Sequence, residues 1–342
     1  MTRKENGGME SMTSIREVAK LAGVSASTVS RVMNNTAKVD EEKKQRVLAA
    51  IEQTGFKPNA LARALFKQSS KIIGVIIPTI ENPFFNEMAK AIEEEAFQKG
   101  YRLLLCNSNG DVEKEKSNVE MLTQMKADGL IIMTNSDETG EIIAQCNLPV
   151  VVLDRRVFGG SEIAYIESDH YHGGVLAAEH LLECGCKNIV CMRGPQELSS
   201  GKKRYKGYKD VCKKYGLKEC YINCDYSYDA GLKAAKELLE KYPEVDGIIA
   251  TNDIVAISVY KVLQNAGYKV PEDIQIIGFD NIQFSWLFTP EISTITQPIM
   301  EMGRLAVQII VNYINGEQFK SKNMFEVVLE ERQTTKRKIK SF

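Results

Sequence analysis

The chain has 342 residues, more than one ordinary domain needs and enough for two or three. Its 44% hydrophobic and 26% charged content is that of a globular protein, and no apolar run approaches the ~20 residues of a membrane helix. The net charge of −1 is unevenly spread: residues 1–71 carry 13 Lys and Arg against 7 Asp and Glu, and the rest carry 31 against 38. Only the head therefore suits a polyanion.

The opening MTRKENGGMESM holds no apolar stretch, so residues 1–12 read as a disordered tail without a signal peptide, on a cytoplasmic protein with no membrane partner. Residues 14–34, SIREVAKLAGVSASTVSRVMN, follow. Ile15, Val18, Ala19 and Ala22 fall at helical spacing, and Gly23 marks a tight turn. Ser25 is placed to cap a second helix with Val29 and Val32 inward. A third helix is expected over 40–53, with Val47, Leu48 and Ile51 inward and Gly55 ending it. Two short helices around a glycine turn, completed by a third, make an all-α helix-turn-helix. On the outer face of the second helix, Arg31 could pair with a guanine, and Ala26 and Ser27 could reach base edges. Ser25, Thr28, Ser30 and Asn34 are suited to phosphates, which position without specifying.

A short amphipathic segment, PNALARAL (58–65), and a polar Lys-Gln-Ser-Ser linker come next. Residues 14–35 followed by this segment resemble the LacI (lactose-repressor) family of bacterial transcription regulators, and the similarity continues to about residue 335. The resemblance implies a DNA-binding domain over 13–58 and a hinge helix and linker over 59–70. It also implies that Ala26, Ser27 and Arg31 read bases while Leu65 wedges into the minor groove at the operator centre.

From Lys71 apolar strands alternate with amphipathic helices, first over 71–77, 101–107, 129–133 and 149–154. A second series has strands near 188–192, 220–223, 246–250 and 273–279. This pattern predicts an α/β body of two lobes, each a doubly wound parallel sheet covered on both faces. The expected lobes are 71–168 with 294–322, and 169–293 with 323–338. A last strand–helix–strand set, over 292–297, 298–314 and 325–331, would cross between them.

Open parallel sheets bind ligands beyond the carboxyl ends of their strands. There the chain places Asn82, Phe84, Phe85, Asp154, Arg155, Asn252, Asp280 and Gln297, to which Arg204 and Tyr226 are added. In VVVLDRR (150–156) four apolar residues run straight into three charges, which are costly at a core edge unless paired. Arg156 is expected to face solvent. The set offers acceptors, forked donors, amides and aromatic faces, and no nucleophile beside a base. It suits a polyhydroxylated ligand, although Asn252 could simply cap a helix and one of Phe84 and Phe85 could be core.

The body also resembles the periplasmic sugar-binding proteins, ribose binders in particular, through NPFF (82–85), LDR (153–155), Arg204, Tyr226, Asn252, Asp280 and Gln297. That resemblance implies a sugar ring between Phe84, Phe85 and Tyr226, with its hydroxyls bound by the polar members. The expectation is a homodimeric repressor on a near-palindromic operator, controlled by ribose or a related pentose and needing no cofactor. The eight cysteines contain no C-x-x-C, and His170, His172 and His180 lack zinc spacing, so reduced thiols and no metal are expected. Neither G-x-G-x-x-G nor a P-loop supports an enzyme. A transport-type sugar binder and a regulator answering to a phosphorylated protein are the remaining alternatives.

Overall fold

The computed structural model describes residues 14–34, 38–56, 69–134, 136, 138–155 and 163–336. They divide between Ser70 and Lys71 into two compact units.

In the head, helix α1 (Ile15–Ala22) opens with reciprocal capping. The Ser14 hydroxyl accepts from the Glu17 N–H, and the Glu17 carboxylate accepts from the Ser14 N–H. Gly23 ends the helix at φ 63°, where a glycine is unstrained. Helices α2 (Ala26–Asn34) and α3 (Glu41–Thr54) pack Val29, Val47 and Ala50 against Val18, Ala19 and Ala22. Leu48, expected inward, is 45% exposed. It sits about 100° round the helix from Val47, so Ala50 and Ile51 complete the inner face instead. The tail over 1–12, the hinge segment with Leu65, and Arg156 lie outside the described residues.

In the first lobe of the body, β1 (Ile72–Ile77), β2 (Arg102–Asn107), β3 (Gly129–Ile132), β4 (Val150–Leu153) and β5 (Ile163–Ser168) alternate with α4 (Pro83–Gln98), α5 (Val112–Gln124) and α6 (Thr139–Ala144). The second lobe has α7 (His170–Glu183), β6 (Ile189–Arg193), α8 (Ser199–Tyr215), β7 (Tyr221–Asn223) and α9 (Tyr228–Lys241). It continues with β8 (Gly247–Ile249), α10 (Asp253–Asn265), β9 (Gln275–Asp280), α11 (Gln283–Leu287) and β10 (Ser293–Thr296). The chain then adds α12 (Ile299–Ile314), β11 (Lys322–Phe325) and β12 (Val328–Glu330).

The two sheets run β11-β5-β4-β3-β1-β2 and β12-β10-β9-β8-β6-β7, the same order twice. Every pairing is parallel except β10 with β12. Continuous apolar strands such as β4, buried throughout, are what a sheet covered on both faces requires. Helices α4 and α12 cover one face of the first sheet through Met88, Ile92, Met302 and Ala306.

Strand pairing corrects the expected crossings between lobes. Strand β10 pairs with β9, so residues 294–296 stay in the second lobe rather than joining the first. The single strand expected over 325–331 is two, with β11 beside β5 in the first lobe and β12 beside β10 in the second. The chain therefore crosses after β5, after β10 and between β11 and β12.

Helices α7 and α8 touch through backbone. A Cβ on Gly174 would lie 2.0 Å from the Arg204 carbonyl oxygen, and one on Gly207 would lie 2.2 Å from that of Tyr171. Gly174→Ala is thus expected to push α8 away and cost about 1–3 kcal/mol in urea unfolding. An unchanged midpoint would show that the two helices separate freely at this point.

Candidate functional site

On the head, α2 presents Ser27 and Arg31, one turn apart and both exposed. Thr28 and Ser30 are half-buried, and Ala26 packs against the small core. The exposed Ser25 organises the helix start: its hydroxyl accepts from the Thr28 N–H at 3.2 Å and lies 2.7 Å from Ser27 Oγ. Asn34 ends α2, and its side chain is outside the described residues.

In the body, a cleft of about 580 Å³ opens where the carboxyl ends of both sheets face each other. Asn82, Phe84, Phe85, Asp154, Arg155, Arg204, Tyr226, Asn252 and Asp280 all line it. Local structure explains each position. The Asn82 side chain caps α4 by accepting from the Phe84 N–H at 3.1 Å, and Pro83 supplies the first turn. That fixes Phe84 and Phe85 edge to face, with ring centres 5.3 Å apart. Both also belong to the core of the first lobe, so they serve as packing and wall together.

Asp154 follows β4 with φ 68°, and Asp280 ends β9 with φ 109°. A non-glycine residue held there is strained, and such strain persists only where surroundings enforce it. The Asp154 N–H is tied to the Ile166 carbonyl at 2.8 Å. Arg155 Nη1 donates to the Thr134 carbonyl at 2.8 Å. The neighbouring Asp154 Oδ2 lies 3.6 Å from Arg155 Nε, which has no hydrogen-bond partner. Asp154 Oδ1 is equally without a donor of its own. Arg155 and Asp154 are 6% and 4% exposed, so these are buried, unsatisfied ionic groups.

From the other lobe, Arg204 Nη1 donates to the Thr251 carbonyl at 2.7 Å, and Nη2 reaches Asp280 Oδ1 at 3.4 Å. Its guanidinium lies 3.5 Å over the Phe279 ring. Asn252 does cap α10, accepting from the Val255 N–H, but its amide also donates to the Tyr226 carbonyl at 3.0 Å and holds that aromatic at the cleft. Gln297 is placed differently from expectation: it stands behind Asp280, donating to Oδ1 at 2.7 Å, and is not on the cleft wall.

Two models of known families match the chain. Residues 14–59 match the bacterial regulatory proteins of the lacI family, and residues 70–336 match the periplasmic binding proteins and sugar-binding domain of that family. The chain belongs to the LacI family. It is a DNA-binding regulator with a sugar-responsive type of effector domain. The ribose operon repressor of Halalkalibacterium halodurans is 38% identical over 303 residues, covering 89% of this chain and 91% of the relative. A regulator structure from Alkaliphilus metalliredigens QYMF complexed with D-xylulofuranose is 35% identical, with TM-score 0.70 over 78% of this chain and 99% of that one. Another from Enterococcus faecium, with bound ribose, is 30% identical, with TM-score 0.68 over 77% and 98%.

The electrostatics of the two carboxylates diverge. Burial pushes the Asp154 pKa up, but the adjacent His170 and the charges of Arg155 and Arg204 outweigh it and hold the group well below the usual carboxylate range. At Asp280 burial wins, with Asp154 adding to it and Arg204 opposing, and the pKa rises to about 7. Sequence reasoning missed His170 and Thr134, which brace this cluster, and Asn109, Ser200 and Asp229, which line the cleft. His170 follows β5, so recognising that strand would have exposed it by the same strand-end rule.

A raised carboxyl pKa stabilises the fold when protonated, and that contribution is lost as pH rises through about 7. Asp280→Asn keeps the shape and cannot ionise. It is expected to raise stability at pH 8 on the order of 1–3 kcal/mol and by clearly less at pH 5, which lies between the unfolded carboxyl pKa and about 7. Equal gains at both pH values in urea titrations would remove ionisation from the explanation.

Proposed function

We propose that this protein is a repressor whose operator binding is controlled by ribose or a closely related five-carbon sugar held between the lobes. The observation that carries the reading is the convergence of Asp154, Arg155, Arg204, Asn252 and Asp280 with Phe84, Phe85 and Tyr226 on one cleft. A polyhydroxylated ring suits that lining, its hydroxyls donating to carboxylates and accepting from guanidiniums. Phe84, Phe85 and Tyr226 supply faces for the ring C–H groups. Arg204, Asn252 and Asp280 bind the remaining hydroxyls from the second lobe, Gln297 supports Asp280, and Asn82 orients the aromatic wall.

In the head, Ala26, Ser27 and Arg31 read bases, and Ser25, Thr28, Ser30 and Asn34 contact phosphates. Leu65, outside the described residues, is assigned to the centre of the operator. A homodimer sets two heads on a near-palindromic site. Its support is the run of half-exposed Phe284, Trp286 and Leu287 on the five-residue α11, apolar surface that a second copy would cover. Because the cleft draws polar groups from both lobes, the sugar binds a closed form better than an open one, and this difference in affinity releases the operator.

Titration calorimetry with D-ribose, D-xylulose, other pentoses and hexoses tests the pocket. Ribose is expected to bind, and 2-deoxyribose to bind roughly 10⁴-fold more weakly, since it leaves buried polar groups unpaired. Binding of a hexose alone would displace the pentose assignment. Arg155→Ala is expected to lose the sugar response while repression persists, and loss of DNA binding in that variant would contradict its role. On operator DNA, Arg31→Ala is expected to cost ~1–3 kcal/mol and to relax choice at one base pair. Unchanged affinity and specificity in a gel-shift series would take Arg31 out of the base-reading set.

A further inference from the structure

The first crossing between lobes passes through Asp169, which caps α7, and delivers His170 to the first position of that helix. His170 is fully buried. Its Nε2 lies 3.1 Å from the Asp154 carbonyl oxygen and 3.4 Å from Asp154 Oδ1. On the other side of the ring, Arg204 Nε donates to Nδ1 at 3.3 Å. A guanidinium can only donate, so Nδ1 is the acceptor and the proton of the neutral ring sits on Nε2. The imidazole therefore has one possible tautomer, and both of its nitrogens are engaged.

We propose that His170 is a positioning residue that holds Asp154 of the first lobe and Arg204 of the second in register before any sugar arrives. The inference rests on the reading of the cleft as a sugar site. The Nε2–H goes to the nearer Asp154 carbonyl oxygen, and this fixes the left-handed turn that carries the carboxylate. Arg204 is held from both sides, by His170 at Nε and by the Thr251 carbonyl at Nη1, and this points Nη2 at Asp280. Were His170 only core, a phenyl ring of similar size, set against Phe279 as the tilted imidazole is, would do the same work.

The charges facing the imidazole are Asp154 and Arg155 at the end of β4, Arg204 from α8, and Asp280 beyond it at the end of β9. Burial, the largest cause, and Arg204 lower the His170 pKa below its ordinary value, against the opposing pull of Asp154. A proton on Nδ1 would meet the Arg204 N–H head on and break the bridge.

Two measurements on the full chain decide the matter. With three histidines in the sequence, ¹⁵N imidazole spectra assigned through His170→Phe resolve the ring directly. The expected signal without sugar at neutral pH is a neutral Nε2–H tautomer. A charged ring or an Nδ1–H tautomer at neutral pH would overturn the proposal whatever the ligand. The second measurement is D-ribose and D-xylulose affinity of the variants. His170→Phe is expected to weaken binding roughly 10–100-fold, as loss of hydrogen bonds to charged groups does. His170→Asn, which can still accept from Arg204, should regain part of that loss, and so should His170→Gln, which can reach the Asp154 carbonyl. Wild-type affinity in His170→Phe, or no recovery in either amide variant, would leave His170 a packing residue. A wild-type protein that binds neither sugar would sink the sugar assignment instead, and the imidazole spectrum would still decide whether the bridge exists.

Discussion

Charge buried at the strand ends sets the terms for the body of this molecule. Asp154, Arg155 and Asp280 are each about 5% exposed, and Arg204 is nearly as enclosed. Ions in such surroundings survive only as a balanced, hydrogen-bonded group. Two carboxylates and two guanidiniums supply the balance, yet the bonding is incomplete, with Asp154 Oδ1, Arg155 Nε and Gln297 Oε1 lacking partners. Each unpaired polar atom in such a cluster costs stability, and the proposed sugar would offset part of that cost through hydroxyls bonded to the groups that face the cleft.

The fold makes such a cluster possible by repetition. Both sheets have the same strand order, so equivalent strand ends face one another, and the crossings tie the lobes at one edge. The second lobe then sets its arginine by backbone contact. Gly174 lets α7 approach the Arg204 carbonyl more closely than any side chain permits. From that crossing the guanidinium reaches over Phe279 to Asp280. A single methyl at Gly174 therefore acts on the ligand site through helix packing, although it touches no ligand group.

Much of this could be read from the chain alone, for identifiable reasons. Continuous apolar runs such as VVVL can only be buried strands, and the strand-end rule then named seven of the residues that line the cleft. Failures occurred where the pattern is weak. IAYIES mixes polar with apolar residues because β5 lies next to the edge strand, and missing it hid His170. The late crossings were misplaced because pairing, not composition, decides which sheet receives β10 or β11. Leu48 is apolar but one step off the buried face, a distinction that a broad helical stripe does not resolve. Gln297 obeys the strand-end rule and still stands one layer back, since the rule gives position along a strand and not depth.

The two carboxylates show why a cleft of this kind responds to its ligand. Asp154 is held ionised and offers a permanent acceptor from the first lobe, whereas Asp280 in the second lobe sits near the balance between its two forms. On the proposed reading, a hydroxyl donating to Asp280 would favour its carboxylate, and the charge so fixed would strengthen the contact with Arg204, which is already joined through His170 to Asp154. The cluster would then tighten across the boundary between lobes. A ligand touching one lobe alone would gain nothing from that tightening and would shift no equilibrium between open and closed forms. On the proposed reading, control uses groups from both lobes around one small molecule, and the chain passes between those lobes three times.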